Sequence, residues 1–327
     1  MAHAHPADTS HIAFLFPGQG SQAVGMGREL AAMHPAAQRT FEEADEALGY
    51  RLSQLCFDGP EEKLKLTEIT QPAILTVSIA AFRVLEDHGI APGFVAGHSL
   101  GEWSAHVAAG TISFGDAVRT VRNRGQYMQE AVPVGQGAMA AVLGMDLEPL
   151  QQVCAETAHG EVVQPANINS PGQIVISGSA GAVGRAAELA KQRGAKRALM
   201  LPVSAPFHCA LMQPAQDRLA DDLAKLALGD MRLPLITNVD AAFIQSPEQA
   251  RDTLSRQVTG TVQWEPSMRA LIAHGVNTFV EVGPGKVLCG LMRQIDRAQT
   301  CLSVEDDDSL QKVVNHFTGQ KPTPHSS

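Results

Sequence analysis

The sequence predicts an α/β fold with a mostly parallel sheet, interrupted by a smaller inserted unit. Apolar runs end in glycine-rich turns that lead into helical stretches, which is typical of a parallel α/β sheet. The middle of the chain changes to a β-α-β-β-α-β order, after which the α/β alternation returns. At 327 residues the chain exceeds the usual size of one domain, so an insert or a second domain is expected.

The part of the chain before the insert contains the clearest strand–turn–helix patterns. The first apolar run ends in Pro17-Gly18-Gln19-Gly20, which favours a buried strand that enters a turn. In the later helix, Pro72 fits the first turn, where its missing N–H costs nothing. The predicted elements are a strand at 11–16, helices at 29–48 and 71–88, a strand at 94–96 and a helix at 102–109.

The inserted unit is ferredoxin-like in its predicted order of elements. Strands are predicted at 138–145, 162–168, 173–177 and 198–203, and helices at 147–157 and 182–193. After it come a helix at 211–226 and strands at 235–237 and 278–282. The predicted boundaries are 1–133 and 206–310 for the main subdomain, 134–205 for the insert and 311–327 for a C-terminal tail, of which 320–327 is expected to be disordered.

Composition and charge exclude several classes of function. The formal net charge of −9 disfavours nucleic acid as a general partner, because phosphate binding needs lysine and arginine. The five cysteines are odd in number and widely spaced without a CxxC pair, which predicts reduced thiols, no disulfide framework and no metal site. The N-terminus lacks an apolar signal core, and the longest apolar stretch, 73–82, is too short to span a bilayer. We therefore expect a cytoplasmic protein with no membrane partner.

The sharpest local signal is Gly97-His98-Ser99-Leu100-Gly101, a G-x-S-x-G sequence between a predicted strand and a predicted helix. That context is what a nucleophile elbow requires, since the tight turn lifts the serine hydroxyl clear of the sheet. The helix start behind Ser99 offers backbone N–H groups to an oxyanion. A glycine-rich turn with an incidental serine is the bland alternative, and the flanking elements disfavour it.

The serine needs a base, and the residues alone leave its identity open. His98 adjoins Ser99 and is poorly placed for an in-line proton transfer. His208 follows the last strand of the insert, where a loop can return to the main sheet, although a structural loop histidine fits as well. Cys209 suggests a thiol nucleophile but more often packs as a small apolar residue. A carboxylate receptor is equally open among the arginines Arg119, Arg122 and Arg124.

These residues resemble a known family, the malonyl-CoA:acyl carrier protein transacylases of bacterial type II fatty acid synthesis, which are similar to the acyltransferase domains of polyketide synthases. The resemblance covers nearly the whole chain, about residues 11–297, and rests on motifs in a fixed order. They are FPGQGSQ (16–22), QPA (71–73), GHSLGE (97–102), RGQYMQEA (124–131), GAMAA (137–141), NSPGQ (169–173), PFHCALM (206–212), TNV (237–239) and EVGPGKV (281–287). The family fold is a hydrolase-like α/β core that carries a ferredoxin-like insert, in agreement with the prediction above.

The resemblance implies a role for each matched position. Ser99 corresponds to the acylated nucleophile and His208 to its base, while the backbone carbonyl of Gln257 orients the histidine in place of an acid. The side chain of Gln19 and the backbone N–H of Leu100 correspond to the oxyanion hole. Arg124 corresponds to the arginine that binds the free carboxylate of malonate.

The implied reaction moves malonyl from malonyl-CoA to the phosphopantetheine thiol of an acyl carrier protein by a ping-pong mechanism, with no bound cofactor. Phe207 stands where some fatty-acid members have a small residue and malonyl-specific polyketide acyltransferases often have phenylalanine. It is expected to disfavour an α-methyl branch, and it leaves the fatty acid and polyketide pathways both open.

Three other hypotheses stay open from the sequence: a thioester hydrolase, a carboxylesterase with an acid in its triad, and a non-catalytic carrier-binding module. Turnover that depends on an acceptor thiol distinguishes the transferase from the hydrolase. An acid in the triad would favour the carboxylesterase, and failure to form an acyl-enzyme would favour the non-catalytic module. Two basic clusters are a hypothesis for the surface that binds the carrier protein. The alternative is that they are ordinary charged faces exposed to solvent. These clusters are Lys191, Arg193, Lys196 and Arg197, and Lys286 with Arg293.

Overall fold

The structure, a computed structural model, describes residues 8–203 and 205–319. Its strands are β1 (Ile12–Phe16), β2 (Phe94–Gly97), β3 (Gly137–Leu143), β4 (Val163–Ser170), β5 (Gln173–Ser179), β6 (Arg197–Met200), β7 (Leu235–Ile236), β8 (Phe243–Ile244), β9 (Thr278–Val282) and β10 (Thr300–Val304). Its helices are α1 (Arg28–Met33), α2 (Pro35–Leu48), α3 (Leu52–Asp58), α4 (Glu61–Leu64), α5 (Thr67–Asp87), α6 (Leu100–Ala108), α7 (Phe114–Glu130), α8 (Leu147–Ala158), α9 (Ala180–Gln192), α10 (Gln213–Lys225), α11 (Pro247–Arg256), α12 (Trp264–Ala273), α13 (Val287–Ile295) and α14 (Asp307–Thr318).

The main sheet has six strands in the order β10-β9-β1-β2-β7-β8. All neighbours are parallel except β7 and β8, so the predicted mostly parallel sheet is confirmed. Every residue of β1 is buried, as expected for a strand in the middle of a sheet covered by helices on both faces. The carboxyl ends of β1, β2, β7 and β9 therefore lie at one edge, where ligands bind in open α/β sheets.

A second sheet contains β3 to β6 in the order β4-β5-β3-β6, with antiparallel neighbours. This is the ferredoxin-like arrangement that the chain order predicted. It is tied to the main subdomain by backbone hydrogen bonds at Val262: Ile168 N–H donates to Val262 O at 2.9 Å, and Val262 N–H donates to Ala166 O at 2.8 Å. The two sheets thus form the two walls of one cleft. The domain boundaries given above stay a prediction.

Two helices differ from the sequence expectation in their bounds. The predicted helix at 29–48 is divided into α1 and α2 at His34, which is extended, with Pro35 at the start of α2. Pro35 favours this division because its ring fixes φ and disfavours helical backbone in the preceding residue. α5 starts at Thr67, one turn earlier than predicted, so Pro72 lies inside the helix instead of at its first turn.

Helix α5 is long and apolar enough to cross a membrane by length and composition alone. Most of its side chains are nevertheless buried in the protein core. Glu68, Ile69 and Arg83 are partly exposed, and the last two residues of the helix are exposed. An apolar helix buried on all sides by protein is a core helix. The length and apolar composition of α5 therefore give no reason to place it in a bilayer.

The C-terminal region corrects the predicted tail. Residues 311–318 belong to α14, whose N-terminus is closed by a capping box between Asp306 and Ser309. Leu310 and Val313 are buried, and the helix packs against β10 at the edge of the main sheet. The prediction of a tail is wrong for 311–318, because the sparse apolar residues of this segment, which lie among charged ones, pack against the main sheet. The segment 320–327, expected to be disordered, lies outside the described residues.

The cysteines correct a second expectation. Cys289 on α13 and Cys301 on β10 form a disulfide, with a Cα–Cα distance of 5.5 Å. Cys56, Cys154 and Cys209 are free and buried. The prediction of five reduced thiols was wrong because sequence spacing does not reveal that α13 folds back against the neighbouring edge strand.

His106 on α6 is a buried histidine outside the G-x-S-x-G sequence. It is fully buried, and neither ring nitrogen has a hydrogen-bond partner among the described residues. Burial disfavours the charged imidazolium and lowers the pKa of His106 to about 3. The unfolded chain therefore takes up this proton near the ordinary pKa of about 6.5, well before the folded protein does.

Acidification is accordingly expected to destabilise the fold through His106. As pH falls from 7.5 to 5, the free energy of unfolding should drop by about 2 kcal/mol because of this residue alone. We predict that His106→Leu removes that part of the loss, as measured by urea unfolding at the two pH values. The exposed His316→Gln on α14 serves as the control and should keep the wild-type pH dependence. A His106→Leu protein with the wild-type pH dependence would contradict this account.

Candidate active site

Ser99 occupies a strained turn between β2 and α6. Its backbone has φ 51° and ψ −103°, a conformation that non-glycine residues rarely adopt. A Cβ on Gly97 would overlap the backbone of Gly101, and one on Gly101 would overlap the carbonyl of Phe16 on β1. Glycine at both positions lets the strand and the helix approach closely enough to form the elbow. The turn therefore has the geometry of a nucleophile elbow.

His208 is the histidine that the fold brings to Ser99. Ser99 Oγ lies 2.7 Å from His208 Nε2, and His208 Nδ1 lies 2.9 Å from the backbone carbonyl of Gln257. The carbonyl only accepts, so Nδ1 carries the proton and Nε2 is left to accept from the serine hydroxyl. Burial and the nearby Arg124 lower the pKa of His208 to about 3, so the neutral imidazole is maintained at working pH.

The alternative candidates are placed elsewhere. His98 Nε2 lies 2.8 Å from the side-chain oxygen of Asn169 on β4, and burial lowers the pKa of His98. Cys209 is buried, its thiol donates to Pro206 O at 3.1 Å, and burial raises the pKa of the thiol. A neutral buried thiol is a weak nucleophile, and Cys209 lacks the elbow that Ser99 has.

The structure also distinguishes the arginines of α7. Arg119 is exposed and pairs with Asp116, and Arg122 is partly exposed. Arg124 is 1% exposed, and its guanidinium donates to Gln71 Oε1 at 2.8 Å and to Ser99 Oγ at 3.3 Å. Its Nε has no hydrogen-bond partner among the described residues. Burial lowers the pKa of Arg124 to about 10, so the group remains charged near neutral pH. A buried cation with free donors beside the nucleophile is suited to a carboxylate.

These groups face a cavity of about 710 Å³ between the two sheets. The loop after β1 contributes the exposed Gln19, the start of α6 contributes Leu100, and the segment that returns from the insert contributes the buried Phe207 beside His208. The insert lines the opposite wall. Its lining side chains are Met139, Asn167, Asn169, Gln173 and Val175. The cavity thus joins a serine–histidine pair, a buried cation and a mostly apolar channel.

The sequence assigned no role to the groups behind the nucleophile. Asn238, after β7, accepts from Ser99 N–H at 2.7 Å and donates to Gly97 O at 2.7 Å, which fixes the elbow. The side chain of Gln257 contacts Arg124, and the buried Glu102 accepts from that same side chain at 2.7 Å. The sequence signal for Glu102 and Asn238 was their position in the motifs GHSLGE and TNV. The motifs did not reveal what these two residues do, because their hydrogen-bond partners are distant in sequence.

Comparisons with known proteins identify the family of this chain. The acyl transferase domain family model matches residues 13–311. The malonyl CoA-acyl carrier protein transacylase of Bacillus subtilis is 52% identical over 93% of this chain and 96% of its own length, and that of Escherichia coli is 50% identical over 92% and 98%. An acyl carrier protein S-malonyltransferase structure from Vibrio cholerae has a TM-score of 0.91 at 49% identity, covering 93% of this chain and 99% of its own.

A further solved structure is a malonyl-transacylase in complex with a type II PKS acyl-carrier protein. It has a TM-score of 0.92 at 46% identity and covers 94% of this chain and 99% of its own. The family model, the relatives at about half identity and the similar folds confirm the resemblance seen in the motifs. The chain therefore belongs to the acyl transferase domain family, and within it to the enzymes of the malonyl CoA-acyl carrier protein transacylase type.

Proposed function

We propose that this protein transfers a malonyl group from malonyl-CoA to the phosphopantetheine thiol of an acyl carrier protein, through a malonyl ester on Ser99. The observation that carries the proposal is the position of the buried Arg124 guanidinium, 3.3 Å from Ser99 Oγ, while His208 Nε2 lies 2.7 Å from the same oxygen. The nucleophile and its base match the thioester end of the proposed substrate. The cation lies within the length of one acyl group from them and matches a carboxylate at the other end.

In the first half-reaction, Ser99 Oγ forms a bond to the thioester carbonyl carbon and His208 Nε2 takes the hydroxyl proton. The carbonyl oxygen becomes an oxyanion, for which Gln19 and the backbone N–H of Leu100 are the proposed donors. When the oxyanion collapses, the carbon–sulfur bond breaks. His208 returns its proton to the sulfur of coenzyme A, which leaves as the free thiol.

The second half-reaction reverses these steps with another thiol. The phosphopantetheine thiol of the carrier gives its proton to His208, its sulfur bonds to the ester carbonyl carbon, and the bond to Ser99 Oγ breaks. Ser99 recovers the proton from His208. The solved complex of a similar transacylase with its acyl-carrier protein supports a carrier as the acceptor.

Arg124 is proposed to bind the malonyl carboxylate and to influence the base. In the free protein, its charge contributes to the low pKa of His208. A carboxylate paired with Arg124 offsets that charge, so the pKa of His208 rises when malonyl is bound. The correct substrate thereby makes His208 a better proton acceptor. An acetyl group leaves Arg124 uncompensated and gives no such increase.

Phe207 is proposed to restrict the acyl group. It is 9% exposed, directly precedes His208 and lines the cavity. An α-methyl branch on the malonyl group would meet its ring, so we expect malonyl to be preferred over methylmalonyl. The pathway we propose is fatty acid synthesis in the cytoplasm, as in the family that the motifs resemble.

Carrier docking is proposed at the mouth of the cavity and not at the end of α9. The end of α9 lies outside the residues that line the cavity, and its Arg193 pairs with Glu156 at 2.8 and 2.6 Å. Lys65 lines the cavity, and Lys286 directly precedes Val287, which lines it as well. Both cations are exposed, and each pairs with a carboxylate, Lys65 with Glu61 at 2.7 Å and Lys286 with Glu305 at 2.8 Å. An acidic carrier would approach this opening for its prosthetic arm to enter the cavity.

The test is intact-protein mass spectrometry after brief mixing with malonyl-CoA or acetyl-CoA. We expect a mass increase of one malonyl group that persists in water and disappears when carrier with its phosphopantetheine arm is added. An acetyl adduct is expected only at much higher donor concentration. Loss of the malonyl adduct to water, without a carrier, would favour the thioester hydrolase instead. An absence of any adduct would favour the non-catalytic carrier-binding module.

A further inference from the structure

One residue, Gln257, links the three groups of the proposed mechanism. The Gln257 side-chain oxygen accepts from Arg124 Nη2 at 2.9 Å, and its Nε2 donates to the backbone carbonyl of Ser99 at 3.0 Å. The backbone carbonyl of the same residue holds His208. The family resemblance gives a role only to that carbonyl. The side chain is fully buried, so its contacts replace water entirely and its orientation matters.

The orientation of this amide is set by a buried carboxylate. Glu102 Oε2 accepts from Gln257 Nε2 at 2.7 Å and from the backbone N–H of Asn238 at 3.0 Å. A carboxylate only accepts hydrogen bonds, so the NH₂ end of Gln257 must face Glu102. The oxygen end is then turned toward Arg124, which only donates. Glu102, together with the Ser99 carbonyl that accepts from the same Nε2, therefore fixes which end of the amide the arginine meets.

The carboxylate is unusual enough to require an explanation. Glu102 is fully buried, and burial raises its pKa to about 7, although Gln257, Asn238 and Arg124 favour the charged form. Its Oε1 has no hydrogen-bond partner among the described residues. A neutral amide would occupy the same space without the cost of burying a charge. The proposed transfer steps do not use this group.

We propose that Glu102 is a positioning residue that, through the side chain of Gln257, holds the Arg124 guanidinium in the pose that receives a substrate carboxylate. This inference rests on the proposed function of Arg124 and adds a second residue to the malonyl specificity. Glu102 touches neither the acyl group nor the reacting atoms. Its effect reaches Arg124 through two hydrogen bonds in series, and the guanidinium passes it on to the substrate carboxylate.

Loss of the Glu102 carboxylate should weaken the binding of diacid substrates selectively. A carboxylate needs two parallel N–H groups in one plane, so a small rotation of the guanidinium weakens its binding. Gln71 holds one edge of Arg124 and Gln257 holds another. If the Gln257 amide is no longer fixed, the second edge is released. Acetyl transfer does not use the arginine and should be affected much less.

The first variant is Glu102→Gln, which keeps the shape and replaces the acceptor by a weaker, neutral one. We expect kcat/KM for malonyl-CoA to fall about tenfold, mainly through KM, while kcat/KM for acetyl-CoA falls less than threefold. In an Arg124→Ala background, the same substitution should leave the malonyl-to-acetyl ratio unchanged. Such a double-mutant cycle separates an effect through Arg124 from general damage to the site.

Glu281 offers a matched control. It is a second fully buried carboxylate whose pKa burial raises to about 7, and it accepts from the backbone N–H groups of Leu288 and Cys289 at 3.0 and 2.8 Å. No hydrogen bond joins it to Arg124. Glu281→Gln is expected to change stability without changing the malonyl-to-acetyl ratio. A second variant, Gln257→Ala, removes the side chain but retains the carbonyl that holds His208, and should reproduce the shift in the ratio.

Each outcome supports or overturns the inference. If Arg124→Ala changes the ratio while folded Glu102→Gln and Gln257→Ala do not, Glu102 has no positioning role and the proposed function stands. If both substrates lose activity equally in Glu102→Gln, the carboxylate supports the elbow alone and the inference is wrong. If Glu102→Gln does not fold, the result with Gln257→Ala decides. An unchanged ratio in Arg124→Ala would instead overturn the proposed role of Arg124.

Discussion

Ser99→Ala should form no acyl-enzyme and should transfer malonyl about 10⁴-fold more slowly than the wild type. The hydroxyl lies 2.7 Å from Nε2 of His208, the proposed base, and alanine leaves nothing there to acylate. The cavity and Arg124 remain, so malonyl-CoA should still bind. The measurement is a single-turnover assay together with intact-protein mass spectrometry. The variant should show the unmodified mass at every time point.

Cys209→Ala is the matched control for this experiment. The thiol is adjacent to His208 in sequence, yet it donates to Pro206 O and is buried, with its pKa raised by that burial. We expect Cys209→Ala to acquire the malonyl adduct as the wild type does. An adduct on Ser99→Ala that is lost in the double variant would assign the nucleophile to Cys209.

Arg124→Ala should lower kcat/KM for malonyl-CoA about 100-fold, equivalent to about 3 kcal/mol, and should lower acetyl transfer little or raise it. The malonyl carboxylate would lose its only buried cation in the cavity among the described residues, whereas an acetyl group would no longer face an unpaired charge. The malonyl-to-acetyl ratio of kcat/KM is the quantity to measure. Arg124→Lys should recover only part of it, since an ammonium group cannot form the two parallel hydrogen bonds.

Arg119→Ala on the same helix provides the control for Arg124. Arg119 is exposed and pairs with Asp116, so its removal should leave both substrates unaffected apart from a minor change in stability. A malonyl-to-acetyl ratio that stays at the wild-type value in Arg124→Ala would place the carboxylate receptor elsewhere.

The local features of this fold were predictable because short segments of sequence specify them. The apolar run of β1, the turn after it and the G-x-S-x-G sequence were each recognised from neighbouring residues, and the structure places each as expected. The order of elements in the insert also predicted its ferredoxin-like sheet, since that order permits few topologies. Errors occurred at helix boundaries and at α14, where sparse apolar residues lie among charges.

The sequence by itself therefore determined the α/β class, the insert and the elbow serine, and the resemblance of its motifs supplied His208, Arg124 and Gln257. Only the tertiary structure showed that Arg124 is buried while Arg119 is exposed, paired Cys289 with Cys301 and joined Glu102 to Gln257. Arg124 and Gln257 are 133 residues apart, and Glu102 and Gln257 are 155 apart. Contacts at such separations depend on how helices and strands pack against each other, and no local periodicity encodes them.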